Sequence, residues 1–82
     1  MDPLVKEYVK VRADFTPEGE LLPLIFRTED GPTQVIDRII DVRPAPSLKA
    51  GGQGTRYTCR VGERLIYLFN ARNRWFPETV ED

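Results

Sequence analysis

The residues in this chain best suited to do chemistry are arginines set among aromatics. Arg56, Arg60 and Arg74 stand close to Tyr67, Phe69 and Phe76. A guanidinium fork matches phosphate, and its plane stacks on bases and rings. Aromatics interleaved with basic groups on a small sheet hold single-stranded nucleic acid, with ~1–3 kcal/mol per stacked base. Just upstream, residues 47–55 (SLKAGGQGT) hold three glycines and Lys49. Such a stretch suits a backbone nest for an anion, or a flexible connector. It is not a Walker loop, because no Gly-Lys-Ser/Thr follows and Arg56-Tyr57-Thr58 reads as strand.

Other chemistry is poorly provided for. There is no histidine, which removes the commonest general base and metal ligand. The one cysteine, Cys59, excludes an internal disulfide and a cysteine-built zinc site. It reads as a small buried hydrophobe rather than a reactive thiol. Asp37-Arg38 and Asp41-Val42-Arg43 offer carboxylates beside guanidiniums, and a cross-strand ion pair explains them better than catalysis. In regular strand alternation Asp37 and Asp41 share one face and Arg38 takes the other. The expectation is a binding module and not an enzyme, with no cofactor and no metal.

Charge is unevenly placed. The net charge is -1 over 82 residues. Residues 1–30 carry four basic and seven acidic groups, residues 31–76 eight basic and three acidic, and residues 77–82 three acidic. The basic surplus therefore lies in the segment that holds the arginine and aromatic pattern. The chain has no apolar run of the ~20 residues a membrane helix needs. Its N-terminus lacks the pattern of a secretory signal, so a cytoplasmic protein is expected.

The elements that must position these groups are strands. Turn signals recur at Pro17-Glu18-Gly19, Asp30-Gly31-Pro32, residues 50–54, Gly62-Glu63 and residues 70–73. The segments between them are rich in β-branched and aromatic residues, and none shows a sustained helical period. The spacing predicts six strands, near 5–14, 21–28, 33–43, 55–61, 64–70 and 74–79. Strand one should bury Val9, Val11, Ala13 and Phe15. Strand two, apolar on both faces, should be central. Asp30-Gly31 fits a tight two-residue turn.

A two-residue loop at Gly62-Glu63 fixes the next register. It sets Val61 against Arg64, Cys59 against Ile66, Tyr57 against Leu68 and Arg56 against Phe69. Opposed residues share a face. One face then holds Tyr57, Cys59, Ile66 and Leu68, and is core. The other holds Arg56, Thr58, Arg60, Leu65, Tyr67 and Phe69. If Asn70 and Asn73 close the last hairpin, Trp75 joins the core face beside Leu68, and Arg74 and Phe76 join the mixed face. The aromatics of the mixed face serve either as contact residues or as a second small core under the first hairpin.

Asp30-Gly31, Ile36-Asp37-Arg38-Ile39-Ile40-Asp41-Val42-Arg43, Arg56-Tyr57-Thr58, Tyr67-Leu68-Phe69 and Trp75-Phe76 together resemble a family of short, uncharacterised bacterial all-β proteins. The likeness covers about residues 10–77. A looser version of the order is similar to small domains attached to some Y-family DNA polymerases. That resemblance implies contact with nucleic acid or with a DNA-processing protein.

The whole chain should form one all-β domain, a small antiparallel barrel or roll of about six strands, Src-homology-3-like, with little or no helix. Lys49, Arg56, Arg60, Tyr67, Phe69, Arg74 and Phe76 are the candidate binding residues. The expected partner is nucleic acid or a nucleic-acid-processing protein. The alternative is another protein chain or a second copy of this one.

Overall fold

The computed structural model describes residues 8–28, 30–47 and 52–79. Seven strands run in order: β1 (Lys10–Phe15), β2 (Leu21–Arg27), β3 (Thr33–Val35), β4 (Arg38–Ser47), β5 (Gly52–Val61), β6 (Arg64–Ala71) and β7 (Arg74–Thr79). No helix occurs among the described residues, and none is long and apolar enough to cross a membrane. The strands make two antiparallel sheets, β1-β2-β3 and β4-β5-β6-β7. Backbone bonds stitch the sheets at both margins. Val9 N–H donates to Trp75 C=O at one, and Asp37 N–H to Arg60 C=O at the other, each at 2.9 Å. The ladders nonetheless stay in two sheets and no closed barrel forms.

Seven strands replace the expected six because the segment 33–43 breaks at Ile36-Asp37, where the chain crosses from one sheet to the other. The Asp37 carboxylate accepts the Gly62 N–H at 2.7 Å, which ties this crossover to the β5–β6 turn. The glycine-rich segment extends the strands instead of merely connecting them. β4 runs to Ser47 and β5 starts at Gly52, with Ser47 opposite Gly52.

Turn chemistry accounts for most of the registers. Pro17-Glu18-Gly19 forms a three-residue loop. Gly19 has φ 90°, and Thr16 N–H bonds Glu20 C=O at 2.8 Å. Gly62 has φ 62°, and β5 pairs with β6 in the register deduced above. Asp30-Gly31 does not make a two-residue turn. The β2–β3 ladder closes at Arg27 opposite Thr33, so five residues connect the strands. Gly31 packs so tightly there that a Cβ would lie 2.0 Å from Thr28 Oγ1.

The last hairpin turns at Arg72-Asn73, with φ 55° and 64°, and not at residues 71–72. Trp75 therefore opposes Asn70 instead of Leu68. The shift is two residues, so every side chain keeps its expected face.

The shared core lies between the sheets. Val9, Phe26, Tyr57, Cys59, Val61 and Leu68 are buried there, with Val11, Leu22, Ile36, Ile39, Ile66 and Trp75 packed against them. β2 is central, as its two-sided apolar pattern requires. It tolerates the fully buried Pro23 because β3 pairs only with Ile25–Arg27, and because the β1–β2 register shifts beside that proline. The same irregularity ends the alternation in β1. Phe15 is 74% exposed and is not core. Tyr57 reaches across the sheets, its hydroxyl donating to Leu21 C=O at 2.5 Å.

Two substitutions test this packing. Tyr57→Phe removes the inter-sheet bond and should cost about 1 kcal/mol, lowering Tm by about 4–8 °C. Gly54→Ala should cost more, about 1–3 kcal/mol, because its Cβ would meet Asn70 O at 2.8 Å and Ala71 Cβ at 3.2 Å. Thermal melts of both variants check the order.

Candidate anion-binding face

The face of the four-stranded sheet turned away from the shared core carries the arginines. Register places Arg38 opposite Arg60 and Arg43 opposite Arg56 across β4 and β5. A register shift between Ile39 and Asp41 puts one extra residue in β4. Because of it, Asp41 lies opposite Thr58 and shares this face with Arg38. Plain alternation had put them on opposite faces, and the bulge is the physical reason for the difference. Among the described residues Asp37 makes no cross-strand ion pair. Asp41 pairs within its own strand, its Oδ2 lying 2.6 Å from Arg43 Nε.

β6 and β7 complete the face. Arg56 lies over the Tyr67 ring, with Cζ 4.4 Å from the centroid. Its Nε is buried without a hydrogen-bond partner, so the ring rather than an acceptor holds the group. Tyr67 is half-buried and Arg60 is exposed. Arg74, also exposed, sits at the far edge over Tyr8 at 5.1 Å.

Phe69 and Phe76 occupy a different place from the one expected. They are 2% and 1% exposed and so are not contact surface. They oppose one another across β6 and β7 and stack with centroids 5.5 Å apart and planes 5° apart. Tyr67 meets Phe69 edge-on and Tyr8 meets Phe76 edge-on. Ala45 completes this second core cluster. A second core was one of the two readings of these aromatics. Among the described residues, its walls come from β4 and from Tyr8, not from the first hairpin. Lys49 lies outside the described residues.

The structure thus gathers Arg56, Arg60 and Tyr67 into one patch and leaves Arg74 at its rim. It adds Arg38, Asp41 and Arg43, which the sequence reading had not placed there. Only the β4–β5 register could reveal them, and that register runs through a bulge and a loop with no length-fixing turn signal.

Charge on the face is lopsided. The hydrogen bond from Arg43 holds the Asp41 carboxyl below its ordinary value, and the fields of Arg43 and Arg56 act in the same direction. Asp41 therefore stays ionised and masks part of Arg43. On the opposite, core-facing side, burial pushes the Cys59 thiol up to about 11. The thiol is fully buried and free, so it offers no nucleophile at neutral pH. Among the described residues, no cluster of three or more His, Cys, Asp or Glu could hold a metal ion.

Cys59 should therefore resist alkylation in the folded protein at pH 8 and react fully once the chain is unfolded. Rapid native labelling by an iodoacetamide probe, read by mass spectrometry, would contradict its burial. Its raised pKa also sets a sign. The unfolded chain loses the thiol proton first, so this contribution to stability is intact below the ordinary thiol pKa and declines as pH rises toward about 11. Comparison with protein-family models, with curated proteins and with solved structures finds no match to this chain, so its functional reading rests on the geometry of this face.

Proposed function

We propose that this protein is a non-enzymatic binding module that holds the sugar–phosphate backbone of single-stranded nucleic acid on the outer face of the β4–β7 sheet. The observation that carries the reading is the pair of like-charged cross-strand matches, Arg38 with Arg60 and Arg43 with Arg56. Like charges directly opposite on one face destabilise a sheet. Four guanidiniums in that arrangement gain from a polyanion lying across them.

The dimensions suit such a ligand. The two arginine pairs are four β5 residues apart, or about 13 Å at ~3.3 Å per residue. That separation lets the patch meet more than one phosphate of the same strand. Arg56, held over Tyr67, offers a planar cation to which a base can add as a stacking partner. Nothing in the patch calls for a particular base, so the recognition is of backbone and stacking. The likeness of the turn and strand order to domains attached to some Y-family DNA polymerases points the same way. An Src-homology-3-like roll and a cytoplasmic setting in a bacterium belong to the same proposal.

The test is fluorescence anisotropy with a labelled single-stranded oligonucleotide across a salt series. Three phosphate contacts, at the unmasked Arg38, Arg56 and Arg60 with ~0.7 each, give a log–log slope of about -2, and affinity should be weak, about 10⁻⁴ M at physiological salt. Arg56→Gln and Arg60→Gln should each weaken binding and flatten the slope by about 0.7. Asp41→Asn should act oppositely, because it frees Arg43, tightening binding and steepening the slope. Absence of salt-dependent binding to single strands, duplex and RNA alike would overturn the reading.

Acid should resemble the Asp41→Asn change. The Asp41 pKa is depressed in the folded protein, so its pairing with Arg43 is present above the ordinary carboxylate range. The pairing is lost as pH falls through the lowered value, and binding should strengthen there while the fold persists. A pH titration of the same anisotropy signal, with Asp41→Asn as the flat control, measures this.

A further inference from the structure

A second basic cluster lies on the outer face of the three-stranded sheet, across the shared core from the arginine face. Lys10 stands opposite Arg27, Arg27 opposite Thr33, and Arg12 opposite Ile25. All three cations are exposed, whereas their neighbours Val11 and Phe26 turn inward to the core. A cavity of about 540 Å3 opens on this face, lined by Lys10, Arg12, Ile25, Arg27 and Thr33 among others, with no carboxylate among the described residues of its lining. Asp14, the next acidic residue along β1, lies beyond the bulge, opposite Leu22. Net charge along the sequence hid this cluster. Residues 1–30 are acidic in sum, yet the pairing of β1 with β2 brings three of their four basic groups together.

The geometry defines the ligand by charge, size and shape. Cβ atoms of directly opposed residues lie about 5 Å apart, and residues i and i+2 on one strand about 7 Å apart. Three cations at that spacing can converge on a single group, with the Thr33 hydroxyl beside them. Their mutual repulsion is best relieved by a group with more than one negative charge, which favours a phosphate monoester or pyrophosphate over a carboxylate. Ile25 supplies an apolar floor, and Val35 stands opposite it, 58% exposed. The cavity falls within the ~300–1,000 Å3 of small-molecule sites, well beyond what one phosphate fills.

We infer that this face binds a phosphate monoester or pyrophosphate carried on a flat, partly apolar body of about mononucleotide size. The inference does not rest on nucleic-acid binding at the opposite face. The test is backbone amide NMR of the full chain at low salt, with adenosine monophosphate, pyrophosphate, adenosine and sulfate added separately. Adenosine monophosphate should move the amides of Lys10, Arg12, Arg27 and Thr33 saturably. Pyrophosphate should move the same set, and adenosine should leave it still. Arg12→Gln and Arg27→Gln should each weaken the monophosphate about tenfold or more. Arg64→Gln, at the start of β6, should leave it unchanged. These positions are exposed, so the unperturbed spectrum of each variant verifies its fold. Stillness of these amides with both phosphates would overturn the inference, and so would equal shifts with sulfate or with adenosine. Because the readout is residue by residue, failure here is distinct from failure of oligonucleotide binding at the Arg56 face.

Discussion

Gly62, in the left-handed conformation, is the constraint on which the rest of this structure depends. Its φ of 62° permits a two-residue turn between β5 and β6. That turn sets Cys59 against Ile66 and Arg56 against Phe69. A slip of one residue would send Tyr57, Cys59 and Leu68 to solvent and turn Arg56, Thr58 and Arg60 into the core. The position is doubly held, because the Gly62 N–H also donates to Asp37 at the crossover between the sheets. One backbone group thus joins the register of the central hairpin to the point where the two sheets meet.

What the sequence reveals follows from which turns have length-fixing chemistry. Pro17-Glu18-Gly19 and Gly62-Glu63 do, and the β5–β6 hairpin is readable to the residue, whereas the first hairpin shifts register between Arg12 and Ala13. The final hairpin is readable only as to face, because its left-handed positions are occupied by Arg72 and Asn73 instead of glycine. A non-glycine residue there is disfavoured by roughly 1–2 kcal/mol, which hides the turn from a reading based on propensity. The β4–β5 pairing is not readable at all, because a β-bulge inside β4 exchanges faces and leaves no mark in composition. That is why Arg38 and Arg43 escape a reading that finds Arg56 and Arg60. Phe69 and Phe76 fail for another reason. Alternation says which face a side chain takes, not whether something covers that face. Tyr8, which meets Phe76 edge-on, belongs to a segment remote in sequence.

Two basic faces on an acidic chain make sense once charge is followed through the pairing. The acidic residues are numerous in turns and toward the ends, and the guanidiniums are concentrated by strand pairing. Asp41 is the exception that fits, since it lies inside the arginine patch and binds one member of it. An ion pair this exposed adds little to stability. Its effect is on the field at the face, where it lowers the charge offered to a ligand and reduces repulsion when none is present. Arg56 is restrained differently, by an aromatic plane that leaves its charge uncancelled. The patch therefore holds one guanidinium tied to a carboxylate beside another that is positioned but not neutralised.

The edges of the sheets weigh on the choice between a ligand and a second copy of the chain as the natural occupant. An open edge strand invites pairing with another molecule, and each edge here is blunted. In β4, Pro44 and Pro46 fall on the same side of the backbone alternation, and that side must be the solvent side because proline cannot donate to the ladder. The outer margin of β7 is met by Val9, β3 is three residues long, and β1 carries Lys10 and Arg12 on its outer face. Self-association by extending a sheet would meet prolines, an occupied margin or repelling charge. What remains open to a partner is the faces, and each of them offers guanidinium groups near an aromatic or apolar platform. That pairing of a cation with a flat surface matches the chemistry of phosphate joined to a ring.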